Sequence, residues 1–158
     1  MKANKIDITQ DELKELFWYE DGNLIWKNAR GCVKKGTVAG TLHAKGYTQI
    51  KVMGKIYRAH RLIWIYHKGA IAVTLQIDHI NRNRSDNHIN NLRLVSQNEN
   101  QWNRNGKGFA WHKASNKYQA QIQCNGKLRY LGLYKTVESA REAYLKAKEK
   151  YHTIQVMA

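Results

Sequence analysis

The sequence predicts an α+β fold built from several small sheets and short helices, and three observations support this. Residues 75–102 contain an apolar run, a polar loop, a second apolar run and the start of a helix. Residues before this stretch contain two hairpin patterns. Residues after it contain three strand patterns and then apolar positions spaced by three and four, as in a helix. A chain of 158 residues divided in this way is predicted to form small modules without a large core.

The N-terminal part of the chain is predicted to be a short helix followed by hairpins. Thr9-Gln10-Asp11-Glu12 has the pattern of a capping box, so a helix is expected to begin there and to end near Trp18. Hairpin strands are predicted over residues 17–19 and 24–26 around Asp21-Gly22-Asn23, and over residues 47–53 and 55–59 around Gly54. Residues 31–46 are rich in Gly and Lys and are expected to be mobile, and residues 61–67 are expected to form a helix that ends at Lys68-Gly69.

The central stretch carries the residues most suited to chemistry. Asp78 and His79 lie in the first apolar run, which is predicted to be a strand that ends at a turn. Asn91 follows His79 by twelve positions and Asn100 follows it by twenty-one. The strand, loop, strand and helix predicted here form a unit small enough to place three or four polar side chains around one ion.

The order and spacing of these residues resemble those of the HNH endonucleases, in particular the phage and intron-homing branch, in which the last ligand is Asn. The resemblance extends upstream through Tyr57-Arg58-Ala59-His60-Arg61-Leu62-Ile63-Trp64 and downstream through Asn98-Glu99-Asn100-Gln101. It implies a small ββα-metal nuclease core.

The resemblance also implies a role for each residue. Hydrolysis of a phosphodiester needs a base for the attacking water and positive charge near the phosphoryl oxygens. His79 would be the base, and Asn91 would hydrogen-bond His79 and fix which ring nitrogen faces the water. Asp78 and Asn100 would hold a divalent cation, Mg²⁺ or Mn²⁺, because hard cations prefer oxygen ligands.

The charge of the chain indicates a polyanionic partner. It has 27 Lys and Arg against 12 Asp and Glu, a formal net charge of +15. Residues 1–70 and 106–158 each carry +7, whereas residues 71–105 carry +1, so phosphate affinity is expected to come from the two flanking segments. No apolar run approaches the ~20 residues that cross a bilayer, which disfavours a membrane partner. Double-stranded DNA is the expected partner, and RNA is a weaker alternative.

The cysteines exclude two kinds of site. Cys32 and Cys124 form no Cys-x-x-Cys pair, so neither a zinc ribbon nor a disulfide framework is predicted. A reducing cytoplasm is the expected location, the host cytoplasm if the gene belongs to a phage.

The C-terminal stretch predicts three strands and a helix. Strands are expected over residues 109–113, 118–124 and 128–131, with turns at Ser115-Asn116 and Asn125-Gly126, and Thr136 is expected to cap the helix. Alternation along the middle strand would turn Tyr118, Ala120 and Ile122 toward that helix. It would leave three glutamines facing outward, at Gln119, Gln121 and Gln123.

This stretch resembles the AP2 DNA-binding domain. The resemblance rests on Tyr118-Gln119-Ala120-Gln121-Ile122, Leu131-Gly132-Leu133-Tyr134 and Thr136-Val137-Glu138-Ser139-Ala140. It implies a sheet laid in the major groove, where glutamine amides favour adenine and Tyr130 matches an aromatic reader position. Four cationic side chains would contact phosphates, those of Lys113, Lys117, Lys127 and Arg129. Gln replaces the Arg that the family has at its usual reader positions, which leaves the target sequence open.

These features predict a metal-dependent, homing-type DNA endonuclease, selective for a site, that either nicks or cuts both strands. The predicted divisions are residues 1–70, residues 71–105 for the catalytic motif and residues 106–158 for the recognition module. A monomer or weak dimer without an obligate protein partner is expected. The alternative from another class is a non-catalytic, sequence-specific DNA-binding regulator built on the C-terminal module.

Overall fold

A computed structural model describes residues 6–124 and 126–153 of the chain. The helices are α1 (Gln10–Leu16), α2 (Ala59–Lys68), α3 (Gln97–Trp102) and α4 (Val137–Tyr151). The strands are β1 (Phe17–Glu20), β2 (Asn23–Trp26), β3 (Thr41–Leu42), β4 (Thr48–Val52), β5 (Lys55–Arg58), β6 (Leu75–His79), β7 (Leu92–Ser96), β8 (Phe109–His112), β9 (Lys117–Cys124) and β10 (Lys127–Tyr134). The predicted mixture of helices with several small sheets is confirmed.

The chain divides into two compact units, and the described part of the first is residues 6–97. It contains three antiparallel sheets, with the strand orders β1-β2, β3-β4-β5 and β6-β7. One apolar core joins them, and Leu13, Phe17, Leu24, Leu62 and Leu92 are all members of it. Because Leu92 belongs to β7 and Leu13 to α1, the hairpin that follows residue 71 packs on the same core as the N-terminal helix.

The first helix and both predicted hairpins are confirmed. Thr9 and Glu12 form the reciprocal capping box, and α1 ends slightly earlier than expected because Phe17 already begins β1. Asp21 and Gly22 both have positive φ, 49° and 78°, which fits the two-residue turn that matches the twist of antiparallel strands. The second turn, at Met53-Gly54, has the same pair of positive φ angles.

Helix α2 is longer than predicted and more deeply buried. It begins at Ala59 and buries Ala59, His60 and the run from Leu62 to Ile65, so one helix crosses the core of the first unit. Gly69 ends it with a φ of 82°, as the Lys68-Gly69 pair predicted. Strand β3 was not predicted, because residues 31–46 have the composition of a loop.

The second unit, described here over residues 98–153, contains a three-stranded antiparallel sheet and α4. The strand order is β10-β9-β8, and Ala120, Ile122 and Cys124 of β9 are buried. Thr136 caps α4 through the backbone N–H of Ser139, as predicted, and Tyr144 and Ala147 of α4 lie in a cluster with Ile122. The predicted turn at Ser115-Asn116 is present, but the prediction for Asn125 falls outside the described residues.

No helix in the described ranges is long and apolar enough to cross a membrane. The three-part division of the chain at residues 70 and 105 stays a prediction.

Candidate functional site

The β6-β7 hairpin places Asp78 and His79 at its loop end, where β6 meets the polar loop. Asp78 is opposite Arg93 and His79 is opposite Leu92 in the antiparallel register. Leu92 is buried in the core of the first unit, so the end of β6 is fixed by packing on its neighbouring strand. Both side chains are themselves buried, with 8% of Asp78 and 5% of His79 exposed. Two titratable groups are therefore held on a rigid element.

The carboxylate of Asp78 is paired with Arg93. The Nε and one terminal nitrogen of Arg93 donate to the same oxygen, Oδ2, at 3.0 and 2.8 Å. Both side chains of this pair are largely buried, with 10% of the Asp78 side chain and 14% of the Arg93 side chain exposed. A buried charge is costly without a partner, so the ion pair offsets part of the cost of burying both side chains.

The imidazole of His79 is held by Asn87. Its Nε2 lies 3.0 Å from Oδ1 of Asn87, and Asn87 is only 4% exposed. A carbonyl oxygen can only accept, so Nε2 donates and carries the hydrogen of the neutral ring. The lone pair of the neutral imidazole then resides on Nδ1, which makes Nδ1 the basic atom of His79.

Asn91, predicted to hydrogen-bond His79, makes its side-chain hydrogen bonds within the polar loop. Oδ1 of Asn91 accepts from the backbone N–H of Asn81 at 3.0 Å, and Nδ2 donates to Oδ1 of Asn81 at 3.0 Å and to the carbonyl of Asp86 at 2.8 Å. Asn91 thus closes the polar loop between β6 and β7. Because Asp86 directly precedes Asn87, Asn91 positions the residue that holds His79.

The rest of the polar loop is held by its own side chains. Oδ1 of Asn81 accepts from the backbone N–H of Asn83 at 2.8 Å, and Oδ1 of Asn83 accepts from that of Ser85 at 3.2 Å. The hydroxyl of Tyr19 accepts from the backbone N–H of Ile89 at 3.1 Å and ties the end of the loop to β1. The Asn-rich composition is therefore explained by turns in which Asn side chains bond nearby backbone.

A second histidine lies beside His79. The ring centroids of His60 and His79 are 4.9 Å apart, with nearly perpendicular planes, and the ring of Tyr47 lies 5.4 Å from His60 and 6.2 Å from His79. Burial lowers the pKa of His60 to about 3, and electrostatic interactions with His79, Arg58 and Arg61 contribute to the shift. His60 is therefore a neutral packing partner, as expected for a buried histidine.

Asn100 lies on α3, within the unit that begins at residue 98, so its pairing with Asp78 around one ion stays a prediction. Among the residues described, no cluster of three or more His, Cys, Asp or Glu side chains could bind a metal. The oxygens of Asp78 and Asn100 suit a hard cation. Arg93 donates to Oδ2 of Asp78, so a cation bound through that oxygen would compete with the guanidinium.

The residues predicted to contact DNA divide between the two faces of the C-terminal sheet. In the β9-β10 register Tyr130 is opposite Gln121, and directly opposed residues share a face. Arg129 is opposite Ile122 and Lys127 is opposite Cys124, which places both cations on the face of the buried residues. The Arg129 guanidinium lies 4.9 Å from the ring centroid of Tyr151 on α4.

Four of the remaining predicted contacts lie along one strand, and one lies in a turn. Alternation along β9 places four side chains on the face that Tyr130 shares: Lys117, Gln119, Gln121 and Gln123. Lys113 begins the short 3-10 turn after β8. Tyr130 is 60% exposed, as a residue that reads bases would be.

Sequence reasoning missed two residues at the centre of the site, Asn87 and Arg93. Asn87 is one of several asparagines in the loop, and no spacing rule separates it from Asn81 or Asn83. Arg93 could have been found, because it is the charged residue of a mostly apolar strand, and that strand is predicted to pair with the strand carrying Asp78.

The comparisons with known proteins bear on the same segment. A family model described as HNH endonuclease matches residues 57–102, which include α2, β6, the polar loop, β7 and α3. No curated protein matches the chain. A solved structure on DNA binding and cleavage by the HNH homing endonuclease I-HmuI is similar at 21% sequence identity, covering 82% of this chain and 77% of that one. Its TM-score of 0.42 is too low to transfer function. The chain therefore contains an HNH endonuclease domain at residues 57–102, and this domain identifies it as a nuclease.

Proposed function

We propose that the chain is a metal-dependent DNA endonuclease of the homing type, in which His79 is the general base for phosphodiester hydrolysis. The observation that carries the proposal is the pairing of His79 with Asn87 at the end of β6, inside the segment that the HNH endonuclease model matches. This hydrogen bond assigns the lone pair to Nδ1 and restrains rotation of the ring. Both are properties that a general base needs.

In the proposed reaction, Nδ1 of His79 takes a proton from the attacking water as its oxygen bonds to phosphorus. Asn87 holds the ring throughout, and its carbonyl stabilises the positive charge that develops on the imidazolium. Asn91 keeps Asn87 in place through the carbonyl of Asp86. The bond from phosphorus to the leaving oxygen then breaks, and the strand is cut.

Asp78 and Asn100 are proposed to hold the cation, with Mg²⁺ or Mn²⁺ as the candidates. When bound, such a cation stabilises negative charge on the phosphoryl and leaving oxygens. Asp78 is suited to this role because its carboxylate oxygens are ligands that a hard cation prefers. Arg93 would supply part of the same positive charge when the cation is absent.

The C-terminal unit is proposed to be an AP2-like module that selects the DNA site. Support comes from the outer face of its sheet, on which Gln119, Gln121 and Tyr130 lie together. Amide side chains there can pair with base edges in the major groove, and an exposed aromatic ring can contact a thymine methyl group. The enzyme is further proposed to act in the cytoplasm as a monomer or weak dimer, encoded by a phage or another mobile gene.

The proposal is tested by incubating supercoiled plasmid with the wild-type chain in Mg²⁺, in Mn²⁺ and in EDTA. Cleavage is expected with either metal ion and not in EDTA. His79→Ala should bind duplex DNA with an affinity close to the wild type and should not cut it, because the cations that supply affinity lie elsewhere. Undiminished cleavage by His79→Ala would exclude His79 as the base.

The alternative is a DNA-binding regulator without nuclease activity. The specific observation in its favour is the second compact unit, which has its own sheet, helix and apolar cluster. Binding to duplex without nicking in either metal ion would favour this alternative.

A further inference from the structure

Two arginines converge on one aromatic ring beside the proposed base. The guanidinium carbon of Arg58 lies 4.0 Å from the ring centroid of Tyr47, and that of Arg84 lies 5.0 Å from the same centroid. Arg58 ends β5 and precedes α2, whereas Arg84 belongs to the polar loop after β6. Residues distant in sequence therefore bring two positive charges to one place, and we call Tyr47, Arg58 and Arg84 the arginine pair site.

The arginine pair site has no acidic partner in the described residues. Neither Arg58 nor Arg84 takes part in the salt bridges that the structure shows elsewhere in the described residues. Those salt bridges join Lys55 to Asp7, His88 to Asp21, Arg93 to Asp78 and Lys146 to Glu142. Asp7, which lines the same cavity as Arg58, is the acid paired with Lys55. Two guanidinium groups at one ring, with no acidic side chain of the described residues paired to either, concentrate positive charge there, which favours a negatively charged ligand.

The arrangement favours a phosphate in particular. A guanidinium presents a planar fork of donors that matches phosphate oxygens, and the ring of Tyr47 limits the positions that both side chains can adopt. One terminal nitrogen of Arg84 donates to the carbonyl of Lys45 at 3.1 Å, which fixes its side chain further. These restraints reduce the side-chain entropy that is lost when a ligand binds.

The site lies close to the residue that would attack. The ring of Tyr47 is 6.2 Å from that of His79, centroid to centroid, and 5.4 Å from that of His60. A backbone phosphate held by the two arginines would therefore belong to the same short stretch of the strand as the phosphorus attacked through His79. Burial lowers the pKa of Arg61, and the positive charge of Arg58 lowers it further.

We propose that Arg58 and Arg84, joined on Tyr47, form a phosphate clamp that binds the backbone of the cleaved DNA strand next to the scissile bond. The clamp rests on the proposed nuclease function, because it acts on the strand that His79 would cut. It adds a binding site in the first unit to the surface proposed on the C-terminal sheet. Its contribution is to place the phosphate, which positions the reacting atoms as well as adding affinity.

The experiment compares Arg84→Ala, Arg58→Lys and the double variant Arg58→Ala/Arg84→Ala with the wild type. The control is Arg30→Ala, which removes an exposed arginine whose guanidinium lies 5.6 Å from the ring centroid of Trp26, a similar contact elsewhere in the unit. Binding to a fluorescent duplex is measured in EDTA over a range of salt concentrations. Single-turnover cleavage is measured in Mg²⁺ at saturating enzyme, and the melting temperature of each variant checks its folding.

The slope of log affinity against log salt is expected to become shallower by about 1 for Arg84→Ala and by about 2 for the double variant, because each arginine removed leaves one phosphate with its counterions. The cleavage rate of the double variant should fall more than about tenfold, whereas Arg30→Ala should keep the wild-type rate. Arg58→Lys should keep the salt slope, because its charge remains, and should cut more slowly, because the planar fork is absent.

The proposal is overturned if the double variant has the salt slope of the wild type, or if it cuts as fast as Arg30→Ala does. If the double variant does not fold, the proposal is tested instead by the salt slope and the cleavage rate of two other variants. These are Arg84→Ala, at an exposed position, and Arg58→Lys, which keeps the charge. If the wild-type chain binds duplex DNA but never cuts it, the proposed nuclease function is refuted. The slopes of log affinity against log salt then still test whether Arg58 and Arg84 bind phosphate. If the wild type cuts DNA and the arginine variants keep its salt slope, the phosphate clamp alone is refuted.

Discussion

Replacing Asn87 with Leu removes the acceptor that holds His79 and keeps a side chain of similar volume. The hydrogen bond of 3.0 Å is buried, so the substitution leaves the Nε2 hydrogen of His79 without this partner. An unsatisfied buried donor costs about 1–3 kcal/mol. If that energy is what favours the ring orientation and tautomer with Nδ1 basic, the cleavage rate should fall by about 5- to 150-fold.

The cleavage rate is measured in single turnover with saturating enzyme, so that differences in DNA affinity do not affect the measured rate. The matched control is Asn90→Leu, the same change three residues later at an exposed position. This control should cut at the wild-type rate, and both variants should bind duplex as the wild type does. If Asn87→Leu folds and cuts as fast as Asn90→Leu, Asn87 does not orient the base and the assignment of Nδ1 is wrong.

The same structure yields three further predictions. His60 has a pKa of about 3 when folded, against an ordinary 6.5, so only the unfolded chain gains its proton between those values. His60 therefore lowers the free energy of unfolding progressively as the pH falls from 6.5 toward 3. In acid denaturation His60→Phe should lose less stability than the wild type, and an equal loss would contradict the burial argument. Arg93→Met leaves the buried Asp78 carboxylate without its cation, so urea unfolding should show a loss of about 3–5 kcal/mol, partly recovered by Mg²⁺ if the ion binds there; no recovery would count against Asp78 as a ligand. Gln121→Ala should reduce the preference among duplex sequences in a selection experiment, whereas Lys127→Ala, on the other face, should leave it unchanged; equal effects would contradict the register argument.

Local patterns predicted most of the fold, because its elements are short and carry their own signals. The capping box at Thr9, the Asp21-Gly22 turn and the Thr136 cap each satisfy backbone groups within a few residues. Tertiary packing accounts for the differences. Helix α2 begins two residues earlier than predicted because Ala59 and His60 find buried positions in the core, which no local pattern indicates.

The site could be predicted only in part, for a physical reason. Asp78 and His79 follow from the strand pattern and the family spacing, and the strand register places both at the end of β6. The partners of these two residues depend on how the polar loop closes, and there Asn87 takes the role that spacing suggests for Asn91. Asn87 and Asn91 have the same side chain, so the sequence alone does not distinguish them. The fold of the loop decides which of the two reaches the imidazole.

The arginine pair site shows the same limit. Arg58 and Arg84 are two of 27 basic residues, and nothing in the sequence distinguishes them. The folded chain brings both to Tyr47 because Arg58 ends β5 and Arg84 lies in a loop whose backbone is held by Asn81 and Asn91. Charge composition therefore predicted an anionic partner, whereas the arginine pair site, at which we propose that a phosphate binds, required the structure.

The central claim is that His79, with a bound divalent cation, hydrolyses DNA. Its most direct test is end-mapped cleavage of a duplex library by the wild type and by His79→Ala, each at equal enzyme concentration in Mg²⁺. Our account predicts defined cut sites for the wild type and none for His79→Ala, although both bind the library. Cuts of the same sites by both proteins at the same rate would contradict it.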